Sequence, residues 1–223
     1  MPFQFSEKHV NEFHMAGVTV FRSVLPPSLI RDLRRVCNEG AATARARGWG
    51  GRFQIADGDI DRRPFQDYAE LPALRDAVAK VVGPQCIYGD QSWFGVFIEP
   101  ENVPWCTEWH RDARGVLNDE EWDHWTKIPS LGNQVNCALY EDSCTWYVPG
   151  SHLRGDTGAE RHAVATLPYL GFGDKPGEGE TLTNEERERI CLAYCEGMPG
   201  AMRLYLNAGD FALYRPFGWH IGC

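Results

Sequence analysis

The apolar positions of the chain keep helical spacing at first and strand spacing later. Ser6 precedes a run that places Val10 and Phe13 on one helical face, and a serine there can cap the free N–H groups of a first turn. Gly17 predicts the stop, and the β-branched and aromatic run Val18-Thr19-Val20-Phe21 reads as a strand. Pro26-Pro27-Ser28 opens a second helix, whose Leu29, Ile30, Leu33, Val36 and Cys37 form a buried stripe. Gly48-Trp49-Gly50-Gly51 ends it. A third helix is expected from Pro72 to Gly83, with proline at its entry and glycine at its exit.

From about residue 86 the period shortens to two. Ser92-Trp93-Phe94-Gly95-Val96-Phe97-Ile98 is rich in strand-forming residues, and Trp93, Phe94, Val96 and Phe97 are expected to pack in a core. Val135, Cys137 and Leu139 alternate with more polar neighbours, as do Met202, Leu204 and Leu206. Cys144-Thr145-Trp146-Tyr147-Val148 runs into a Pro149-Gly150 turn. After it comes a polar, glycine-rich stretch from about 154 to 182, then a helix opened by Thr183 with Glu186 three residues on, a capping box. Together they form an insertion over about 154–200. Helices first and antiparallel-looking strands after predict a mostly β chain with flanking helices, a double-sheet jelly roll or double-stranded β-helix. One domain is expected over 1–223, with a helical part to about 85 and the jelly-roll core from about 86.

Composition narrows the function classes. The 223 residues are 43% hydrophobic and 24% charged, ordinary globular usage. A formal charge of −9 without a Lys/Arg-rich run leaves no electrostatic footprint for nucleic acid and a poor match to an anionic membrane. No stretch has the apolar length of a membrane span, and Met-Pro-Phe-Gln-Phe-Ser-Glu-Lys lacks the order of a secretory signal. A cytoplasmic protein is expected. The eight cysteines stand at 37, 86, 106, 137, 144, 191, 195 and 223, with no C-x-x-C. They read as reduced thiols, most of them buried as small hydrophobes, rather than as a zinc site.

The chemistry centres on Trp109-His110-Arg111-Asp112. Side chains two apart on a strand share a face, so His110 and Asp112 would project together. An imidazole and a carboxylate are two parts of the 2-His-1-carboxylate set that binds Fe(II). The third is expected from His220, shortly after the run Ala208-Gly209-Asp210-Phe211-Ala212-Leu213-Tyr214. Other histidines have plainer readings. His152 is expected to hydrogen-bond its loop, and His124, between Trp122 and Trp125, to sit in an aromatic surface cluster. His9, His14 and His162 carry no role, and Glu120-Glu121 reads as a solvated helix start or loop.

Three blocks stand in order: W-H-R-D, then L-Y-E-D-S-C-T-W-Y-V-P-G-S-H from Leu139 to His152, then A-G-D-F-A-L-Y-R-P-F-G-W-H from Ala208 to His220. With the opening S-E-K-H-V-N-E-F-H-M-A-G-V-T-V-F, the chain resembles the phytanoyl-CoA dioxygenase family of Fe(II)/2-oxoglutarate oxygenases. That resemblance implies a jelly roll holding iron through His110, Asp112 and His220, with 2-oxoglutarate as cosubstrate. Asp112 keeps the carboxylate that related halogenases replace with chloride. The family places an arginine beyond the distal histidine to pair with the far carboxylate of 2-oxoglutarate. The chain stops at Cys223, so it is expected to be C-terminally truncated, without the last strands of the jelly roll. Arg215 is an in-chain substitute, and Arg114 is a pocket candidate if its strand continues unbroken. The expected function is a 2-oxoglutarate-dependent oxygenase hydroxylating a small-molecule metabolite. The alternative is a metal-binding jelly roll without turnover; a cupin-type enzyme ranks lower, because only two histidines suit a metal. Substrate identity and oligomeric state stay open.

Overall fold

Ser6 begins the first helix, α1 (Glu7–Ala16), which ends at Gly17 in the left-handed conformation, φ 85°. A side chain at Gly17 would strike the Tyr147 hydroxyl and the His152 ring, so glycine is needed there for space as well as for φ. The computed structural model describes residues 3–48, 52–54, 59–84, 95–97, 104–171 and 182–223, with 52–54 and 95–97 as backbone only. β1 (Val18–Phe21) and α2 (Pro27–Ala46) come next, as the periodicity predicts, and Leu29, Ile30, Leu33 and Val36 are buried along one stripe of α2. The chain continues through β2 (Arg52–Gln54), α3 (Arg63–Ala69) and α4 (Pro72–Val82) to β3 (Gly95–Phe97), which pairs antiparallel with β2. The expected core packing of Trp93 and Phe94 lies outside the described residues, as do the Val96 and Phe97 side chains.

The second half contains α5 (Asp119–Thr126), β4 (Gln134–Cys137), β5 (Thr145–Tyr147), a single 3₁₀ turn at Ser151–Leu153, α6 (Gly158–Thr166), α7 (Asn184–Glu196), β6 (Met202–Arg203), β7 (Phe211–Tyr214) and β8 (His220–Gly222). Two antiparallel sheets result, ordered β1-β7-β4 and β6-β5-β8. Along β7 the two faces separate cleanly. Phe211 and Leu213 join the helical cluster of α1 to α4, while Ala212 and Tyr214 face the other sheet with Val18, Tyr147 and Leu206. Trp146, Val148 and Ile221 turn the opposite way, to Tyr194, Cys195 and Met198 beside α6 and α7. The layers are thus helices, sheet, sheet, helices, with a core in each of the three gaps.

The expectation of a mostly β chain is corrected: among the described residues helix outweighs strand, and no strand exceeds four residues. Much of each β segment is loop that carries side chains inward. The stretch expected as a polar insertion contains a helix, α6, opened by Thr157 with Glu160 three residues on, the same capping box as Thr183 and Glu186. Among the described residues no helix is long and apolar enough to cross a membrane.

Candidate metal centre

His110 and His220 face each other across an isolated antiparallel bridge. His110 N–H donates to the His220 carbonyl at 3.2 Å and His220 N–H to the His110 carbonyl at 3.0 Å. A pair exchanging both bonds presents its side chains on one face, and the two imidazole centroids stand 4.2 Å apart. Asp112 is held two residues on by its own N–H, which donates to the Pro216 carbonyl at 2.9 Å. One Asp112 oxygen, Oδ1, lies 3.5 Å from His110 Nε2 and 3.7 Å from His220 Nε2. One ligand atom from each residue lies within 4.8 Å of the others. The structure therefore brings together the three residues expected from the sequence.

The surroundings orient each donor. His110 Nδ1 sits 2.7 Å from the Glu108 carbonyl and His220 Nδ1 3.0 Å from the Gly218 carbonyl. Each carbonyl accepts the Nδ1 proton, which leaves the Nε2 lone pair free toward the centre. Burial, and then the neighbouring His110, lower the His220 pKa to about 4, so its ring is neutral at ordinary pH. The second oxygen of Asp112 accepts a hydrogen bond from Gln134 Nε2. Gln134 lies opposite Tyr214 in the β4–β7 register, on the face turned toward the second sheet. Two imidazoles and one carboxylate, converging on one point with their outer atoms already engaged, fit a divalent iron. Sequence reasoning missed Gln134. Its signal was the polar phase of an alternating strand, Gln134 and Asn136, beside the apolar Val135 and Cys137.

The remaining candidates are placed elsewhere. Arg114 is a correction. The chain does not continue as a strand past Asp112: Ala113 adopts φ 60° and Gly115 φ 91°. Arg114 instead lies over the Trp122 ring and 3.7 Å from Asp119. Arg215 is buried and directs its guanidinium to backbone carbonyls, with Nη1 donating to Ile128, Pro129 and Leu131 and Nη2 to Trp125 and Thr126. It closes the end of α5 with both terminal nitrogens engaged by backbone carbonyls. His152 is buried with Nε2 3.3 Å from the His14 carbonyl, and burial lowers its pKa to about 4. It serves the α1 terminus, not the centre. His124 is exposed on α5, whose first turn holds Glu120 and Glu121 under an Asn118 cap.

Arg111 projects away from the centre and anchors the strand that bears it. Nη1 donates to the carbonyls of Ser151, Arg154 and Phe217, Nε lies 3.0 Å from Asp156, and the guanidinium stacks on Trp219. Arg154 in turn grips the buried Glu160 through two bonds, of 2.8 and 2.6 Å. The ligand-bearing segment is thus fastened to α6 by a chain of charged contacts.

Comparisons with known proteins bear on the family and the fold. Residues 13–193 match the family model of phytanoyl-CoA dioxygenase; the match contains His110 and Asp112, while His220 joins them through the fold. A search among curated proteins gives no significant match. Among solved structures, the chain is similar to EvdMO1 (16% identity, TM-score 0.59, covering 96% of this chain and 45% of that one). It is also similar to AviO1 from Streptomyces viridochromogenes Tue57 (16% identity, TM-score 0.58, 96% and 86% covered). A third likeness is to SnoK, a non-heme alpha-ketoglutarate-dependent carbocyclase from nogalamycin biosynthesis (17% identity, TM-score 0.57, 98% and 78% covered). These likenesses concern the fold, and the chain spans less than half the length of EvdMO1. On the extent of the family match, this chain belongs to the phytanoyl-CoA dioxygenase family.

Proposed function

We propose that the chain is an Fe(II)- and 2-oxoglutarate-dependent oxygenase that hydroxylates a small-molecule metabolite in the cytoplasm, with His110, Asp112 and His220 as the metal ligands. The observation that carries this reading is the convergence of two Nε2 atoms and Asp112 Oδ1 within 4.8 Å, in a member of this family. Iron bound there with 2-oxoglutarate supplies the oxygen activation that lets an unreactive C–H bond be oxidised. The chain's own residues do the positioning. The Glu108 and Gly218 carbonyls fix the ring tautomers, and Gln134 turns Asp112 so that Oδ1 faces the two histidines. Arg111 keeps the His110–Asp112 segment from retreating, and three ligands on one side leave the opposite side open for cosubstrate and substrate.

Anaerobic addition of Fe(II) and 2-oxoglutarate should give the weak visible charge-transfer band of the chelate, and aerobic turnover should form succinate. Asp112→Ala should remove both. A folded wild-type protein that shows neither band nor succinate sinks the reading. The engagement of Arg215 and Arg114 elsewhere favours a second reading: a jelly roll that holds metal without turning over 2-oxoglutarate. Calorimetry separates the two, since that protein would take up metal and ignore the cosubstrate.

A further inference from the structure

The block from Leu139 to His152 holds none of the three converging residues, yet its end packs directly behind them. Tyr147 lies opposite His220 in the β5–β8 register, and both Tyr147 and Ser151 are fully buried. Their hydroxyls act on one short piece of backbone, the turn from Arg215 to Gly218 and the residue after it. Tyr147 O–H donates to the Arg215 carbonyl at 2.9 Å, which also accepts the Gly218 N–H at 3.1 Å and so closes the turn. Ser151 O–H donates to the Val148 carbonyl at 2.6 Å, and its oxygen accepts the Trp219 N–H at 2.8 Å. Val148 N–H donates to the Trp219 carbonyl at 2.9 Å, and Arg215 N–H to the Gly17 carbonyl at 2.8 Å. Gly218 is pressed against both hydroxyls: a Cβ there would strike the Tyr147 oxygen and come within 2.9 Å of Ser151 Oγ.

The turn presents two carbonyls to the centre. That of Pro216 accepts the Asp112 N–H at 2.9 Å, and that of Gly218 lies 3.0 Å from His220 Nδ1. One turn therefore sets the places of two of the three ligands. Packing alone would not call for a hydroxyl at either position, since phenylalanine and alanine would fill nearly the same volume. A buried hydroxyl is costly unless it is bonded, and both of these bond the backbone that leads into His220.

We propose that Tyr147 and Ser151 are positioning residues for the metal centre, holding the Arg215–Gly218 turn in the shape that aims His220 Nε2 and Asp112 at one point. The inference rests on the reading of His110, Asp112 and His220 as ligands. Neither hydroxyl touches a ligand atom. Removing either lets the turn relax into the space beside Gly218 and draws the Gly218 carbonyl off Nδ1. The ring can then carry its proton on Nε2, the atom that must be bare to bind a metal.

Tyr147→Phe and Ser151→Ala test this in the full chain, first without metal. Nitrogen-15 spectra of histidine-labelled protein at pH 7, with His220 assigned by its absence in His220→Gln, read which ring nitrogen holds the proton. The wild type should show the Nδ1–H form, and both variants a mixture with Nε2–H. Fe(II) affinity should fall by about 10–100-fold in each, as for loss of an outer partner of a ligating histidine. Leu74→Ala, in the core beneath the N-terminal helices, is the control. It should lower the urea midpoint while keeping the Nδ1–H form and wild-type affinity. Tyr147→Phe keeps the ring volume and carries the test if Ser151→Ala, which leaves the Trp219 N–H unpaired, does not fold. Folded variants with an unchanged tautomer, or with wild-type Fe(II) affinity, overturn the proposal. So does a control that shifts the tautomer to the same degree. A wild type that holds the Nδ1–H form yet takes up no Fe(II) overturns the underlying metal-centre reading, and the proposal with it.

Discussion

The two outer layers of helices cover corresponding faces of the two sheets with different chemistry. Under α1 to α4 the contacts are almost all aliphatic and aromatic: Phe13, Leu33, Val36, Leu74 and Val78 meet Phe21, Phe211 and Leu213. Under α6 and α7 the packing mixes thiols and tryptophans with the buried charges Glu160, Arg187 and Arg111. The first layer can be rebuilt from hydrophobic volume alone. The second surrounds the segments that carry the metal ligands, and its polar groups set where those segments lie. One layer supplies stability, and the other supplies position.

Truncation in the first layer should therefore be costly and indifferent to metal. Phe211 stacks on Phe21 with centroids 5.8 Å apart and sits at the centre of the β1-β7-β4 sheet. Phe211→Ala should lose about 3–5 kcal/mol of unfolding free energy, measured by urea denaturation. The fraction still folded should bind Fe(II) with unchanged affinity. A large loss of affinity in that folded fraction would erase the contrast between the layers.

In the second layer a smaller cost should come with a loss of function. Glu160 accepts two bonds from Arg154 and one from Thr157 N–H, and these outweigh the effect of burial and hold its pKa at about 2. Glu160→Gln should cost about 1–3 kcal/mol by weakening a buried, charge-assisted contact. Because the Arg154 carbonyl supports Arg111, Fe(II) affinity should fall as well. The depressed carboxylate also gives a sign. Its stabilisation is fully present above about pH 4.5, the unfolded value, and is lost as pH falls toward 2, so the variant should show a flatter stability profile in that window.

His152 joins the layers, since it packs against Gly17 after α1 and bonds the His14 carbonyl. Burial first, with Arg215, His14 and Arg111 adding to it against the pull of the His14 carbonyl, keeps its pKa at about 4. Above pH 6.5 both folded and unfolded rings are neutral and there is no penalty. As pH falls from 6.5 toward 4 only the unfolded ring gains its proton, so stability drops by about 2 kcal/mol at pH 5. His152→Gln should remove that slope between pH 6.5 and 4 in a thermal-melt series. A slope that persists in the variant would assign it to other groups.

The legibility of the chain divides along the same line. α1, α2, α4 and α7 announce themselves through Ser6, Pro27, Pro72 and the Thr183–Glu186 box, because caps and periodic stripes are local signals. His110, Asp112 and His220 were legible because an H-x-D strand and a distant histidine have few other uses in this order. The short α3 escaped because seven residues give too little periodicity, and α6 because its box lay in a glycine-rich setting. Arg114 was misread because nothing in Asp112-Ala113-Arg114 announces a left-handed alanine. Meetings between distant segments, such as Gln134 with Asp112, depend on sheet register and leave no trace in local sequence.

The smallest stability effect and the most selective functional one should come from Gln134. Its amide lies on the inner, polar face of β4, part of the first layer's sheet but turned toward the centre. Asp112 is 37% exposed, so water can replace the lost bond in the metal-free protein, and Gln134→Leu should change unfolding free energy by less than about 1 kcal/mol. With metal bound the same bond decides which oxygen faces the histidines. Without it the carboxylate can rotate, and loss of an outer partner of this kind typically costs about 10–100-fold in metal affinity. Gln134→Glu should be worse, because a second carboxylate beside Asp112 repels it and competes for the ion. Measuring Fe(II) affinity and urea midpoint on both variants tests the division directly. A fall in stability matching the fall in affinity would make Gln134 one more packing residue.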